Sequence, residues 1–348
     1  MKGKRKVMLA LSALAATAVM VIAVAAAQAA PAGDAPSVGL ISDVGKFNDK
    51  SFNQSALEGF KRAQKELGAK IRPVESRAAS DYIPNLATCA RTGQQLCVSV
   101  GFLLADATNT VATQFPGTQF GIVDYSVKAA PFKSNKNVTG LTFNTNENSY
   151  MIGCLAALVA KAGILPGANG PAVGTPVISA VGGIKIPTVT IFIAAYKAGA
   201  ARCVPGTKVL VGFSQEFVAQ DPCKEIAIDQ IGQGSRVVFQ VAGGCGLGAL
   251  DAAKQADIWG IGVDRDQAFL GKHILTSAVK RVDVSTFLTV RRLAQGQKLG
   301  GFDLLFNLKN NGVAIGKMSS KVPKDLVAKM NALKPKILSG AIKPPKNL

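Results

Sequence analysis

The sequence predicts an α/β protein of two doubly wound domains joined by a hinge. Three observations carry that expectation. From residue 36 onward, apolar runs of strand length alternate with helical periodicity, the pattern of parallel sheets. The alternation runs to about residue 143 and then restarts after a polar patch, 144–148. Several strands end in a polar residue or glycine: Asp43, Asp124, Gly243, Asp264 and Lys280. In an open α/β sheet, ligands bind outside the carboxyl ends of the strands. Two such sheets face to face bring those ends to one cleft, a clamp that closes by hinge motion.

The elements follow in order. Residues 1–30 read as a secretory signal peptide: Lys2, Lys4, Arg5 and Lys6, an Ala-rich apolar stretch, then Ala27-Gln28-Ala29 as a cleavage signal. The apolar stretch is also long enough for an uncleaved membrane anchor. Val38-Gly39-Leu40-Ile41 opens the first strand, and Phe52, Ala56, Leu57 and Phe60 mark one face of a helix over 51–67. Strands are expected at 70–74, 96–100, 119–123 and 138–143, with helices at 85–93 and 108–115 between them. The second run has helices at 149–162, 187–201, 224–233 and 249–255. Its strands are expected at 177–181, 208–213, 237–241 and 257–262. Beyond it come a short strand at 274–278, a helix at 284–294, a short segment at 312–315 and a basic helix at about 323–339.

Composition narrows the function. About 318 residues remain after the signal peptide, enough for two cores. The formal net charge of +19 falls to +15 without the four leading cations. The cations are scattered. The densest set, Lys317, Lys321, Lys324, Lys329, Lys334 and Lys336, reads as the solvated side of the closing helix. No basic stretch is interleaved with aromatics, so nucleic acid is not an expected partner. The six cysteines, Cys89, Cys97, Cys154, Cys203, Cys223 and Cys245, suit up to three disulfides in an exported protein, and none has CxxC spacing. The short separations favour Cys89–Cys97 and Cys203–Cys223, with Cys154 and Cys245 paired or free.

The polar groups point to binding. Asp43 and Asp49 could form an acid–base pair, but short polar residues before a helix more often cap it, and Asp49 or Ser51 suits that role. Asp124 and Asp264 end apolar strands at matching places in the two runs, where a carboxylate accepts hydrogen bonds from a sugar diol. Phe52 and Phe217 stand in polar loops at matching places. They either sandwich a flat ring across the cleft or tuck into their own cores. Lys280 can donate to a hydroxyl, a ring nitrogen or an anion, or be simply exposed. Gly244-x-Gly246-x-x-Ala249, with Asp264 further on, fits a permissive dinucleotide fingerprint, and an NAD-dependent oxidoreductase is the alternative from another class. Yet the motif lies deep in the chain, and glycines serve equally where backbone approaches a ligand. His273 is the only histidine and no Ser sits in G-x-S-x-G, so no catalytic residues, metal or cofactor are assigned.

The block Asp43 to Phe60, with NDKSFNQSA at its centre, resembles the signature of the basic membrane protein (BMP) family. The resemblance continues through FGIVD at 120–124, Ser149-Tyr150, VGGIKIPTV at 181–189, Lys224-Glu225-Ile226-Ala227, AGGCGLGAL at 242–250, GIGVDRDQ at 260–267 and ILTSAVKRVD at 274–283. It covers nearly the whole mature chain. It implies a type I periplasmic binding protein fold of two Rossmann-like domains, serving as the nucleoside-binding, substrate-binding protein of an ABC importer. Phe52 and Phe217 are then expected to stack on a purine-like base. Asp43, with Asn48 or Asp49 nearby, takes the base edge, and Asp124, Asp264, Lys280 and the backbone of Gly243 hold the ribose. The lobes are expected to be discontinuous, 36–143 with 273–305 and 144–272 with 306–348. The sequence departs from the family pattern in lacking a lipidation Cys and in having Ala219 two residues after the second aromatic, with Asp221 four after it. The expectation is an exported, monomeric binding protein in the periplasm or cell envelope. It delivers a nucleoside to a membrane permease and performs no chemistry. A sugar-like ligand is the alternative within binding proteins.

Overall fold

The structure is a computed structural model and describes residues 35–132 and 135–348. The expected signal peptide lies outside the described residues. The first run comprises β1 (Ser37–Ser42), α1 (Phe52–Leu67), β2 (Lys70–Val74), α2 (Tyr82–Arg91), β3 (Leu96–Val100), α3 (Ala105–Gln114), β4 (Gln119–Val123) and β5 (Val138–Phe143). The second comprises α4 (Thr145–Lys161), β6 (Val177–Gly182), α5 (Pro187–Cys203), β7 (Lys208–Phe213), α6 (Asp221–Gly232), β8 (Val237–Val241), α7 (Gly246–Gln255), β9 (Trp259–Asp264) and β10 (Ile274–Lys280). The chain then returns through α8 (Val282–Ala294), β11 (Phe302–Phe306), β12 (Val313–Ile315), α9 (Lys324–Asn331) and α10 (Leu333–Leu338).

Two six-stranded sheets result, ordered β11-β5-β4-β3-β1-β2 and β12-β10-β9-β8-β6-β7. Every pairing is parallel except β10 with β12. Strands such as β3 and β8 are buried along their whole length, which is why each reads as an apolar run with a single polar residue, Ser99 or Gln240. In each sheet the order reverses between the first and third strands of its run, β1 and β3 in one, β6 and β8 in the other. Such a reversal opens a crevice at the carboxyl ends of those strands.

The order also corrects the expected lobe boundaries. β10 belongs to the second sheet, alongside β9, although the sequence placed 273–305 with the first lobe. The crossing back comes after Lys280, where α8 packs on α1. Asp283 N–H donates to Ser55 Oγ (3.1 Å), and Thr286 Oγ1 donates to the carbonyl of Ala56 (3.1 Å). A Cβ on Gly59 would stand 2.2 Å from the Asp283 carbonyl oxygen, so glycine is what lets these helices close up. β11, which no sequence pattern marked, completes the first sheet beside β5 before the chain returns to the second. The polar patch at 144–148 caps and opens α4, with Asn146 and Asn148 buried in its first turn. Asn148 Nδ2 donates to the carbonyls of Val279 and Ala314, tying α4 to β10 and β12.

Three disulfides brace the lobes: Cys89–Cys97, Cys154–Cys203 and Cys223–Cys245. The first is as expected, whereas Cys203–Cys223 is not formed. Cys203 ends α5, which packs so closely on α4 that a Cβ on Gly199 would lie 1.9 Å from the Tyr150 carbonyl oxygen. That approach places Cys203 beside Cys154. Cys223 faces the turn before α7 instead.

Candidate ligand-binding site

The carboxyl ends of both sheets converge on one cavity, with about 560 Å³ free of atoms, its opening included. Asp43 follows β1, Gly101 follows β3, and Asp124 follows β4. From the other sheet come Gly243 after β8, Asp264 at the end of β9 and Lys280 at the end of β10. The loop before α1 adds Asp49, the first turn of α1 adds Phe52 and Asn53, and the loop after β7 adds Phe217. Asn48 alone of the sequence-selected residues is not on the wall. It is exposed in a tight turn closed by Asp49 N–H donating to the Lys46 carbonyl (3.2 Å).

Asp49 caps α1. Its carboxylate accepts from the backbone N–H groups of Ser51 (2.9 Å), Asn53 (2.9 Å) and Gln54 (3.1 Å). It also accepts from Asn53 Nδ2 at 3.2 Å. Asn53 Oδ1, on the same wall, is buried and unpaired within the protein.

Asp124 and Asp264 are matched in backbone as well as in place. Their φ angles are 70° and 61°, the left-handed region that a non-glycine residue rarely adopts. Asp is among the few residues that tolerate it, and the turn aims each carboxylate across its strand end. Asp124 is ion-paired with Lys280 from the opposite lobe; Lys280 is buried, and the Asp124 side chain is only 9% exposed. Asp264 accepts from Ser51 Oγ, also across the cleft, at 2.7 Å. Two further links join the lobes: Gln267 Nε2 donates to the Lys50 carbonyl (3.1 Å), and Arg265 pairs with Glu58 (2.8 Å).

Burial sets the electrostatics. It pushes the Asp43 carboxyl up to about 6, against the hydrogen bonds from Gly45 N–H and Asn53 that favour its anion. It likewise pushes Asp264 up to about 6, against the pull of Lys280 and the Ser51 hydrogen bond. Asp49 and Asp124 are also raised by burial; for Asp124, the Lys280 ammonium opposes the rise. Around a single buried cation, several carboxylates thus wait for hydrogen-bond donors.

Aromatic surface completes the wall. Phe52 and Phe217 both line the cavity, and Lys280 Nζ lies 4.7 Å from the centre of the Phe52 ring. Phe102, Phe192, Ile186 and Val189 also line it, and none of them was selected from the sequence. Phe192 carried no signal, being one apolar residue among many in a helical pattern. Gln267 was missed as well, although it lies inside the GIGVDRDQ block. Its Oε1 accepts from Gln240 Nε2 and Val263 N–H while its Nε2 reaches Lys50. Its one local mark, a place shortly after a cleft Asp, is shared by any solvated amide in a turn.

The glycine-rich turn 243–248 is explained by packing. A Cβ on Gly246 would meet Gln240 Oε1 at 1.9 Å, and one on Gly248 the Gln220 carbonyl oxygen at 2.1 Å. One on Gly244 would lie 3.2 Å from the Phe217 carbonyl oxygen. The glycines let the Phe217 loop lie down on α7 rather than admit a pyrophosphate.

Two α/β lobes meeting around a buried polar and aromatic cavity define the ligand-clamping class of binding proteins. Within it, residues 36–348 match the family of PnrA-like ABC transporter substrate-binding proteins, and the chain belongs to that family. It is 34% identical over 330 residues to the ABC transporter nucleoside-binding protein BmpA of Lactococcus lactis, covering 88% of each chain. It is 31% identical to the CD4+ T-cell-stimulating antigen of Listeria monocytogenes, over 89% of this chain and 88% of that one. The ABC transporter solute-binding protein of Aeropyrum pernix superposes with a TM-score of 0.79 at 26% identity, over 90% of this chain and 94% of that one. A solute-binding protein of Actinobacillus succinogenes solved with D-allose superposes at 0.61 with 12% identity, over 82% of this chain and 99% of that one, which shows the fold alone. The family is one of substrate-binding proteins and not of enzymes, which sets aside the oxidoreductase alternative. Substrate-binding proteins of ABC importers work outside the cytoplasm. No helix among the described residues is long and apolar enough to cross a membrane.

Proposed function

We propose that the cavity binds a purine nucleoside and that the protein hands it to the permease of an ABC importer. The observation that carries the reading is the joint placement of Phe52 and Phe217 with Asp124, Asp264 and Lys280 around one buried space fed by both lobes. Aromatic faces take a flat base, and base–aromatic stacking contributes about 1–3 kcal/mol per base. Carboxylates accept from vicinal hydroxyls, each oxygen having free lone pairs. Asp264 and Asp124 would hold the ribose, with Lys280 donating beside them and the backbone of Gly243 close by. Asp43 would take N–H groups on the base edge. The Lactococcus relative's designation as nucleoside-binding supports the same ligand class. Because each lobe supplies part of the contacts, ligand and closure are linked, and the closed form is what a permease can distinguish.

The test is ligand-dependent melting. Purine nucleosides raise the midpoint in proportion to the logarithm of their concentration, whereas NAD and monosaccharides leave it unchanged. A midpoint raised by NAD or a sugar and by no nucleoside overturns the reading.

A further inference from the structure

We propose that the Cys223–Cys245 disulfide is a positioning device for Phe217, and so controls how fast the cavity releases its ligand. The inference rests on the nucleoside reading above. Phe217 stands in the loop between β7 and α6 and lines two spaces at once. One is the cavity. The other is an outer crevice on the rim between the lobes, walled by Val44, Lys46 and Arg77 on one side and by Ile184 and Val218 on the other. Phe217 therefore stands between the cavity and the outer crevice.

The loop is seated from three directions, and the disulfide joins them. Its near end is Ser214, whose Oγ lies 3.3 Å from Cys223 Sγ and 3.4 Å from Cys245 Sγ. Its middle is gripped by the Cys245 backbone N–H, which donates to the Phe217 carbonyl at 3.1 Å. Its far end runs into the first turn of α6, where Cys223 sits fully buried. The covalent bond thus fixes the helix that ends the loop to the turn that receives its centre. Within the loop, the Glu216 carboxylate accepts from Phe217 N–H (2.8 Å) and Val218 N–H (2.6 Å), which ties 216–218 together. The other two disulfides join residues away from the cavity wall.

Loop length separates positioning from plain stabilisation. Cys154–Cys203 spans 49 residues and Cys223–Cys245 spans 22, so on chain entropy the former stabilises more. The Cys223→Ala/Cys245→Ala and Cys154→Ala/Cys203→Ala variants are compared using guanosine as probe. The first pair is expected to release guanosine about tenfold faster, with the dissociation constant following the rate, and to lose less melting temperature than the second. The second pair is expected to keep guanosine release within about twofold of the parent. Hydrogen exchange of the 215–220 amides, measured without ligand, is expected to accelerate in the first pair alone. If the first pair does not fold, Cys223→Val/Cys245→Ala, which refills the buried volume, replaces it. Unchanged exchange over 215–220, or guanosine release that follows the loss of melting temperature in both pairs, overturns the proposal. Failure of the parent protein to bind any nucleoside overturns the nucleoside reading instead, and the exchange comparison still decides whether the disulfide holds the loop.

Discussion

Asp264 is a residue at which binding and stability pull in opposite directions. Its carboxylate is buried, left-handed in backbone, and aimed where a ligand hydroxyl is proposed to sit. Its pKa is raised from 3.8 to about 6, as is that of Asp43. Between those values the folded protein holds protons that the unfolded chain has released. Stability therefore falls as pH rises through that window and levels off above it. The ligand-free protein is expected to melt higher at pH 5 than at pH 7.5. A guanosine titration should show the opposite trend, affinity weakening below about pH 6 as the two acceptors protonate. At pH 7.5 Asp264→Asn removes a buried charge, so it is expected to stabilise the ligand-free protein by about 2 kcal/mol in a denaturant melt while weakening guanosine binding. A destabilised Asn variant would remove the charge from this account. At this scale the sequence showed what it could. Asp124, Asp264 and Phe217 stand out because they sit at matching places in the two runs, Asp124 with Asp264 and Phe217 with Phe52. Phe192 and Gln267 did not stand out, because nothing local separates a cavity-lining helix residue from a core one, or a cross-lobe amide from a solvated one.

Among the elements, the α4–α5 pair fixes the second lobe. Gly153 and Gly199 each lie under a Tyr carbonyl of the partner helix, Tyr196 and Tyr150. Backbone is on both sides of these contacts, so no rotamer change relieves a larger residue. Gly199→Val is expected to destabilise the fold by about 2 kcal/mol or more, measured by denaturant melting. A neutral result would mean that the helices separate freely. This packing also explains why the disulfides were only partly legible. The pairing of Cys89 with Cys97 needs a helix and the strand that follows it, which the sequence supplied. Cys154–Cys203 depends on two helices meeting at close range, and Cys223–Cys245 on the Phe217 loop folding onto the glycine-rich turn. Neither is written in sequence separation. Strand β10 was misplaced for a similar reason. Its apolar run marks it as a strand, but only its pairing with β9 says which sheet it joins.

In the whole molecule, two largely parallel sheets present the same strand order to a shared cleft, and the restart of the strand–helix rhythm near residue 144 was enough to foresee that. The lobes are joined over the cleft by links of unequal value. The Glu58–Arg265 pair is partly exposed, so Glu58→Ala is expected to change stability by about 0.5 kcal/mol or less. Lys280–Asp124 is buried, and Lys280→Ala leaves a carboxylate uncompensated, which costs several-fold more. If the small exposed link proved the larger of the two, closure would be governed at the rim rather than at the proposed ligand. The proposed clamp needs both lobes to grip one molecule, and Phe52 is the first lobe's part in that grip. Calorimetric titration of purine nucleosides into the parent protein and into Phe52→Ala tests this most directly. One-site binding is expected in the parent, weakened roughly 5- to 150-fold in the variant by the loss of one stacking face. No binding of any purine nucleoside to the folded parent, or equal affinity in the variant, would contradict the account.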